Sequence, residues 1–463
     1  MSDLGTERNP VRAAIVGSGP SGFYAAEALI RSEPVVLVDM FERLPSPFGL
    51  VRSGVAPDHP KLKEPIRVYQ RIAESPQFQL LGNITVGRDI SVEELNNYYH
   101  AIVFACGAET DRKLGIAGES LPGSHTATEF VGWYNGHPDY RDRMFDLSHD
   151  TAVVIGQGNV AVDVCRILSK TVDELRHTDI TKHALEVLAQ SKIRDIHMIG
   201  RRGPAQAKFT HSELRELGEL ADCDPIVDPG DLELNPASRE ELADRANRAN
   251  MKSYEVLQGF ASRPPPTRRR RCHIQFLKSP IKLKGEERLE RVVLMKNRLE
   301  GEPSRQVARE TGEVEELACG VLFRSIGYRG VPIAGVPFDD SRGIISHRDG
   351  RIVDGADVVP ALYATGWIKR GPTGIIGTNR ADSVATVNSL LADLPNLDAG
   401  TKPGADELKA LLKNRGVRVV SYANWQKIDA AEVRRGEAAG KPREKFARME
   451  EMLALLEGLE SIR

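Results

Sequence analysis

Cysteine is scarce and scattered in this chain. Cys106, Cys165, Cys223, Cys272 and Cys319 are its five, and no two stand in a Cys-x-x-Cys spacing. That argues against a zinc centre, an iron–sulfur cluster of the chain's own and a dithiol redox pair, and leaves plain structural thiols. With no other ligand-spaced cluster in view, no metal is expected. No run of 18 or more apolar residues occurs, so no membrane-spanning helix is expected. An excess of positive charge is also missing: the formal net charge is −2 with 28% charged residues, which argues against a nucleic-acid partner. Met1 to Pro10 is short and polar, with no signal-peptide core, and the expected location is the cytoplasm. Nothing in the composition demands more than a monomer.

What the chain does have is one pattern written twice. Ala13-Ala14-Ile15-Val16 runs into Gly17-Ser18-Gly19-Pro20-Ser21-Gly22 and then an apolar-striped segment from Phe23 to about Ile30. Starting 139 positions later, Ala152-Val153-Val154-Ile155 runs into Gly156-Gln157-Gly158-Asn159-Val160-Ala161 and a second such segment to about Leu168. Each reads as a buried strand turning sharply into a helix whose free N–H groups face the turn, a site shaped for a pyrophosphate. One such match is weak; two, each followed by a matching second strand, predict two dinucleotide sites. Pro20 suits the first helical turn, where a missing N–H costs nothing.

The second strands end in opposite charge. Val35 to Phe41 leads to Glu42, whose carboxylate would accept both ribose hydroxyls and repel a 2′-phosphate. The first turn therefore suits the unphosphorylated ribose of FAD. Asp195 to Ile199 leads instead to Gly200-Arg201-Arg202, and two guanidiniums there suit the 2′-phosphate of NADP(H).

Further along, Leu44 to Pro60 reads as a long ordered loop, Ala101 to Ala105 as a buried strand, and Lys170 to Lys192 as a helical insertion. Strand patterns resume from Cys272 to about Gly327. Ala361 to Gly366 then repeats the strand-then-small-residue ending of Ala101 to Gly107. The predicted class is α/β: two Rossmann-like, ββα-type three-layer dinucleotide-binding domains, the NADP domain inserted into the FAD domain. The expected boundaries are 1–108 and 331–463 for the two FAD parts and 109–330 for the NADP domain. Phe446, Met449, Met452, Leu453 and Leu456 predict a terminal amphipathic helix packed on the body.

With those residues placed, the chain resembles the ferredoxin–NADP⁺ reductases of the adrenodoxin-reductase type. Two long motifs carry the resemblance: Pro47-Phe48-Gly49-Leu50-Val51-Arg52-Ser53-Gly54-Val55-Ala56-Pro57-Asp58-His59-Pro60 and Gly366-Trp367-Ile368-Lys369-Arg370-Gly371-Pro372-Thr373-Gly374-Ile375-Ile376-Gly377-Thr378-Asn379. The resemblance implies an FAD enzyme passing hydride from NADPH to flavin and single electrons to a ferredoxin-type iron–sulfur protein, or the reverse. It implies FAD contacts at Ser21, Glu42, Gly49, Leu50, Val86, Trp367, Gly374, Ile375 and Ile376, beside Gly17, Gly19 and Gly22 of the first turn. NADP contacts fall on Arg112, Asn159, Val160, Ala161, Arg201, Arg202, Glu213 and Gly374, beside Gly156 and Gly158. His59 and Glu216 are implied near the nicotinamide, orienting it rather than acting as an essential acid–base pair. The flavin subunit of a glutamate-synthase-like NADPH enzyme shares this architecture and is the alternative, though it typically carries a cysteine-rich segment absent before Cys106.

A reductase of an acidic iron–sulfur protein would use basic surface for encounter. Candidates are Arg52, Lys61, Lys63 and Arg67, and the stretch Arg263 to Arg291, with ten Lys/Arg against three Glu and the run Arg268 to Arg271.

Overall fold

Aliphatic runs with both faces covered favour parallel pairing, and the chain begins with four of them. The computed structural model describes residues 3–460 and opens with β1 (Val11–Val16), β2 (Val36–Glu42), β3 (Phe78–Gly82) and β4 (Ala101–Phe104). A two-residue strand, β5 (Thr110–Asp111), then leads into a second body built from β6 (Ser124–Thr126), β7 (Thr151–Ile155), β8 (Asp195–Ile199), β9 (Cys223–Ile226) and β10 (Arg270–Gln275). It continues through β11 (Lys278–Lys284), β12 (Arg291–Glu300), β13 (Val307–Ala318) and β14 (Val321–Arg324). The chain leaves by β15 (Tyr328–Arg329), which pairs antiparallel with β5, and ends its strands with β16 (Phe338–Asp339), β17 (Ile344–Ile345), β18 (His347–Arg348), β19 (Arg351–Asp354) and β20 (Asp357–Ala364).

The first sheet has the order β18-β19-β20-β4-β1-β2-β3, so sequence from beyond residue 340 completes a sheet begun at residue 11. β20 lies parallel beside β4, so the small-residue endings of the two strands fall at one edge of the sheet. The second sheet, β6-β14-β7-β8-β10-β9, is formed wholly from the chain between those halves. The second nucleotide unit is thus inserted into the first. One face of its sheet carries helices, with Phe130, Trp133, Val164 and Ile167 in the core. The other carries the antiparallel β11-β12-β13 meander, whose Leu283, Val292 and Leu294 pack on Val153, Ile155 and Ile199. In the first unit, helix Pro20–Ile30 lies on one face, and Leu408 and Leu412 of helix Ala405–Asn414 cover the other.

Local readings shift at four places. Gly49–Ser53, inside the expected loop, closes a short helix after Phe48, which sits at φ 86°. The insertion is two short helices, Val172–Leu175 and Lys182–Ala189, with a connecting turn. The terminal helix, Met449–Glu460, buries Met452 and Leu456, but Phe446 precedes it in an extended strap, its ring under the Arg435 guanidinium at 4.3 Å. The four-arginine run is only half surface. Arg270 is buried on Asp222 and on the carbonyls of Ser169 and Ile193, and Arg271 grips Asp195 through two hydrogen bonds. Among the described residues no helix is long and apolar enough to cross a membrane.

Candidate functional site

Both glycine turns lie where the pattern puts them, each between a strand's carboxyl end and a helix. Helix Pro20–Ile30 starts at Gly19 and helix Asn159–Ser169 at Gly158, and neither start has a side-chain cap. Elsewhere Ser91, Thr126 and Thr171 close their helices with full capping boxes. Free N–H groups at the two uncapped starts suit an anion. Sterics fix the glycines. A Cβ on Gly17, at φ 110°, would lie 2.6 Å from the Ala105 carbonyl oxygen, and one on Gly22 would lie 2.1 Å from the Gly17 oxygen. At Gly19 and Gly158 a Cβ would meet nothing within 4 Å. Those two glycines face open space where a pyrophosphate would need close backbone approach.

Around the first turn the structure gathers most of the residues expected to hold a flavin nucleotide. Glu42 accepts from Ser18 N–H at 3.2 Å and Ser18 Oγ at 2.5 Å, and its other oxygen takes the Leu44 N–H at 2.9 Å. Phe48 N–H donates to the Ser18 carbonyl at 3.1 Å, which brings Gly49 against Gly19. Ser21 Oγ donates to Asn379 Oδ1 at 3.1 Å, and Gly366 packs over Ser21. Trp367 stacks on Tyr328 at 5.4 Å, and its buried indole N–H has no hydrogen-bond partner among the described residues. An orphaned donor at that place, with the open face of Gly19, fits a bound flavin nucleotide. Leu50 and Ile375 are exposed apolar side chains, 38% and 70% accessible, on the two motif loops. Gly374 sits at φ 83° in the same loop as Ile376. Val86 packs with Val16 and Phe41 near the strand ends.

Around the second turn, Gln157 O accepts from both Lys208 and Phe209 N–H, and Asn159 Oδ1 from Thr210 N–H at 2.8 Å. These bonds hold the segment after the arginine pair close to Gly158 and Val160. Ala161, in place of a third glycine, is fully buried. The Arg201 and Arg202 carbonyls are pinned by Asn297 and Leu277, yet neither guanidinium has a carboxylate within ion-pair distance among the described residues. Partial burial and the neighbouring Arg201 charge push the Arg202 guanidinium down. Two adjacent cations without a direct ion pair, Arg202 feeling only the more distant Glu241 charge, fit a phosphate dianion. Arg112 is exposed, its N–H on the Gly327 carbonyl, and no side-chain contact joins it to the others.

His59 and Glu216, 157 positions apart, meet at 2.6 Å between Nε2 and Oε2. They belong to a cluster the sequence did not announce. Arg166, fully buried in helix Asn159–Ser169, donates to Asp58 at 2.7 and 3.1 Å and to Asp163 at 2.6 Å, with Glu213 at 3.4 Å and Glu216 at 3.6 Å. Lys170 adds a second cation on Asp58 at 2.8 Å. Burial would raise the Asp58 carboxyl, but Arg166 and Lys170 hold it well below the usual carboxylate range. Burial and the nearby Asp163 charge push the Glu213 carboxyl up. The outcome is a cluster on the seam between the two bodies in which four carboxylates, Asp58, Asp163, Glu213 and Glu216, share the cations Arg166 and Lys170, with Glu216 the most exposed of the four. His59, Glu213 and Glu216 converge closely enough to suit a metal, as do Asp195, His197 and His273. In each trio an arginine already meets the carboxylate charge, Arg166 in one and Arg271 in the other.

Residues 15–81 match the model of an NAD(P)-binding Rossmann-like domain. Over 458 residues the chain is 46% identical to NADPH-ferredoxin reductase FprA of Mycobacterium tuberculosis, covering 96% of this chain and 99% of that protein. It is 44% identical over 465 residues to the mitochondrial NADPH:adrenodoxin oxidoreductase of Bos taurus, covering 97% and 93%. The solved structure of Mycobacterium tuberculosis FprA in complex with NADPH superposes with a TM-score of 0.91 at 45% identity, over 96% of this chain and 99% of that one.

Proposed function

Because the chain belongs to the family of NADPH–ferredoxin reductases of the adrenodoxin-reductase type, we propose that it is an FAD-dependent NADPH:ferredoxin oxidoreductase with its nicotinamide site at the His59–Glu216 pair. The observation that carries the reading is the opposite dress of two like turns. Glu42 closes the first, and two guanidiniums with no direct ion pair among the described residues, Arg201 and Arg202, close the second. When bound, FAD supplies the chemistry, accepting a hydride from NADPH and yielding its electrons singly to an iron–sulfur protein.

The chain's own residues bind and orient. Gly17, Gly19 and Gly22 admit the FAD pyrophosphate to the start of helix Pro20–Ile30, and Glu42 turns from Ser18 to the ribose. Gly49, Leu50, Val86, Trp367, Gly374, Ile375 and Ile376 border the flavin, the glycines allowing close backbone approach. On the other side Gly156, Gly158 and Asn159 to Ala161 hold the NADP pyrophosphate, Arg201 and Arg202 the 2′-phosphate, and Arg112 the outer rim. His59 and Glu216 orient the nicotinamide. Glu213, bound into the Arg166 cluster, keeps their spacing and local charge. The bodies divide at about residues 108 and 330, and the cytoplasm is the proposed location, where five free thiols suit a reducing compartment.

The test is direct. Purified protein should be yellow, release FAD on denaturation, bleach with NADPH far faster than with NADH, and pass electrons to a low-potential ferredoxin. Release of FMN, or equal bleaching by both nicotinamides, would overturn the reading.

A further inference from the structure

His59 sits in a turn tied to the nucleotide unit on both sides. Just before it, Asp58 takes the two Arg166 hydrogen bonds and the Lys170 ammonium. Just after it, the tight helical turn Pro60–Lys63 is closed by the Leu62 N–H on the His59 carbonyl at 3.1 Å. That turn ends at Lys63, whose Nζ donates to both oxygens of Asp179 at 2.7 Å. Asp179, 8% exposed, lies in the connection between the insertion's two short helices.

A third segment joins there. Lys445, 3% exposed in the C-terminal strap, reaches Asp179 Oδ2 at 3.1 Å and donates to the Arg52 carbonyl at 3.1 Å. Arg52 itself holds Glu432 at 2.6 and 2.9 Å and lies 4.7 Å over the Trp425 ring. The strap is fastened further by Lys441 on the Ile180 carbonyl and by Glu444 on the Lys182 N–H at 3.1 Å. Two ammoniums on one buried carboxylate make a costly arrangement whose best-attested use is registry rather than stability. Here it is found where the flavin-side loop, the inserted unit and the C-terminal strap converge.

We propose that Asp179 is a positioning residue for the reaction. Gripping Lys63 and backed by Lys445, it fixes the Pro57–Lys63 turn, and His59 within it, against the nucleotide unit. The proposal rests on the reading that places the nicotinamide at His59 and Glu216. Asp58 on Arg166 and His59 on Glu216 hold the near end of the turn; the tie at Lys63, four residues beyond His59, fixes its far end and so the angle at which the imidazole is presented.

The experiment uses the FAD-loaded enzyme and the variants Lys63→Met, Lys445→Met and Asp179→Asn. Each methionine variant leaves a one-to-one ion pair at Asp179 and so spares the fold. Flavin content and KM for NADPH should stay within about twofold, because the phosphate sites are untouched. Single-turnover flavin reduction should slow roughly tenfold or more in Lys63→Met and Asp179→Asn, the scale of loss for sub-ångström to 1 Å misplacement. Lys63→Arg should restore most of the rate. Amide hydrogen exchange across residues 58–63 of the NADP⁺-bound enzyme should rise in the slowed variants. Flavin reduction within twofold of wild type in Lys63→Met, with only a lower Tm, would overturn the proposal. So would faster exchange confined to the strap. If Asp179→Asn does not fold, Lys63→Met decides alone. Wild-type protein that NADPH does not bleach would overturn the functional reading instead.

Discussion

Among the described residues Arg201 and Arg202 stand side by side with no direct ion pair, and their substitution is the sharpest residue-scale test. Replacing both by alanine should cost about 1.5–3 kcal/mol of NADPH binding per arginine, roughly ten- to hundredfold each, and leave NADH use nearly unchanged. Steady-state kinetics with both nicotinamides checks this; equal losses would assign the arginines to the fold. The buried lysine of the strap gives a second test. Burial, opposed by Asp179, brings the Lys445 ammonium down to about 7, against about 10.4 in an unfolded chain. Between those values the unfolded state binds more protons, so this group makes stability rise with pH. Urea midpoints at about pH 7 and about pH 9.5 should diverge in the wild type and converge in Lys445→Met, the window following from those two values. Asp179 works at the other end. Burial raises its carboxyl, but Lys445 and Lys63 bring it to about 2. Its contribution is therefore present above about pH 3.9 and lost as pH falls toward about 2. Glu42 and the arginine pair were legible in the sequence because their chemistry lies at a fixed short distance from a glycine turn. Asp58, Arg166 and Asp179 were not. Arg166 meets Asp58 across 108 positions and Lys63 meets Asp179 across 116, and nothing beside Arg166 in its helix sequence marks it as buried.

At the scale of elements, the two glycine turns separate folding from binding within one motif. Gly22→Ala would drive a methyl into the Gly17 carbonyl, and Gly17→Ala would add a strained φ of 110°. Both should lower Tm and flavin content together. Gly19→Ala meets no protein atom within 4 Å. Its apoprotein should keep the wild-type Tm but lose most of its FAD, and Gly158→Ala should do the same for NADPH. Thermal melts beside flavin extraction and NADPH titration check all four; a Gly19→Ala protein with full flavin would show that the pyrophosphate lies elsewhere. The strand–turn–helix units were readable because local periodicity and turn chemistry agree there. The loop from Leu44 was not, since its helix Gly49–Ser53 depends on Phe48 entering a cluster with Phe23, Tyr69 and Trp425. The arginine run misled for a related reason. Pairing of β10 with β8 and β9 carries Arg270 inward and sets Arg271 beside Asp195.

Across the whole molecule, the inserted architecture was legible from one recurrence, the small-residue endings of β4 and β20, because parallel neighbours must finish at the same edge. Partner encounter belongs to this scale too. Lys61, Arg67 and Arg269 are exposed, whereas Lys63 is locked on Asp179 and is structural rather than a free surface charge. Ferredoxin reduction should slow steeply with salt, since attraction between surface charges is screened over about 8–10 Å at about 0.1–0.15 M ionic strength. Reduction of a small neutral acceptor should change far less. Reversing Lys61 and Arg67 should mimic high salt; a ferredoxin rate indifferent to both would make these charges ordinary solvated surface.

The pairing of Thr110 with Arg329 and of Asp111 with Tyr328 carries a consequence for how such a protein can be rebuilt. Among the described residues the chain crosses between its bodies only twice, and both crossings lie side by side, about 4.8 Å apart as neighbouring strands must. A module whose two ends meet can be excised and the gap closed with almost no loop entropy. The inserted unit is in that sense a cassette. Replacing it with one of different cofactor preference would exchange the electron donor and leave the first sheet's covalent path intact. The grafted surface would still have to reproduce Arg166, Lys170, Asp179 and Glu216, which hold the turn carrying His59.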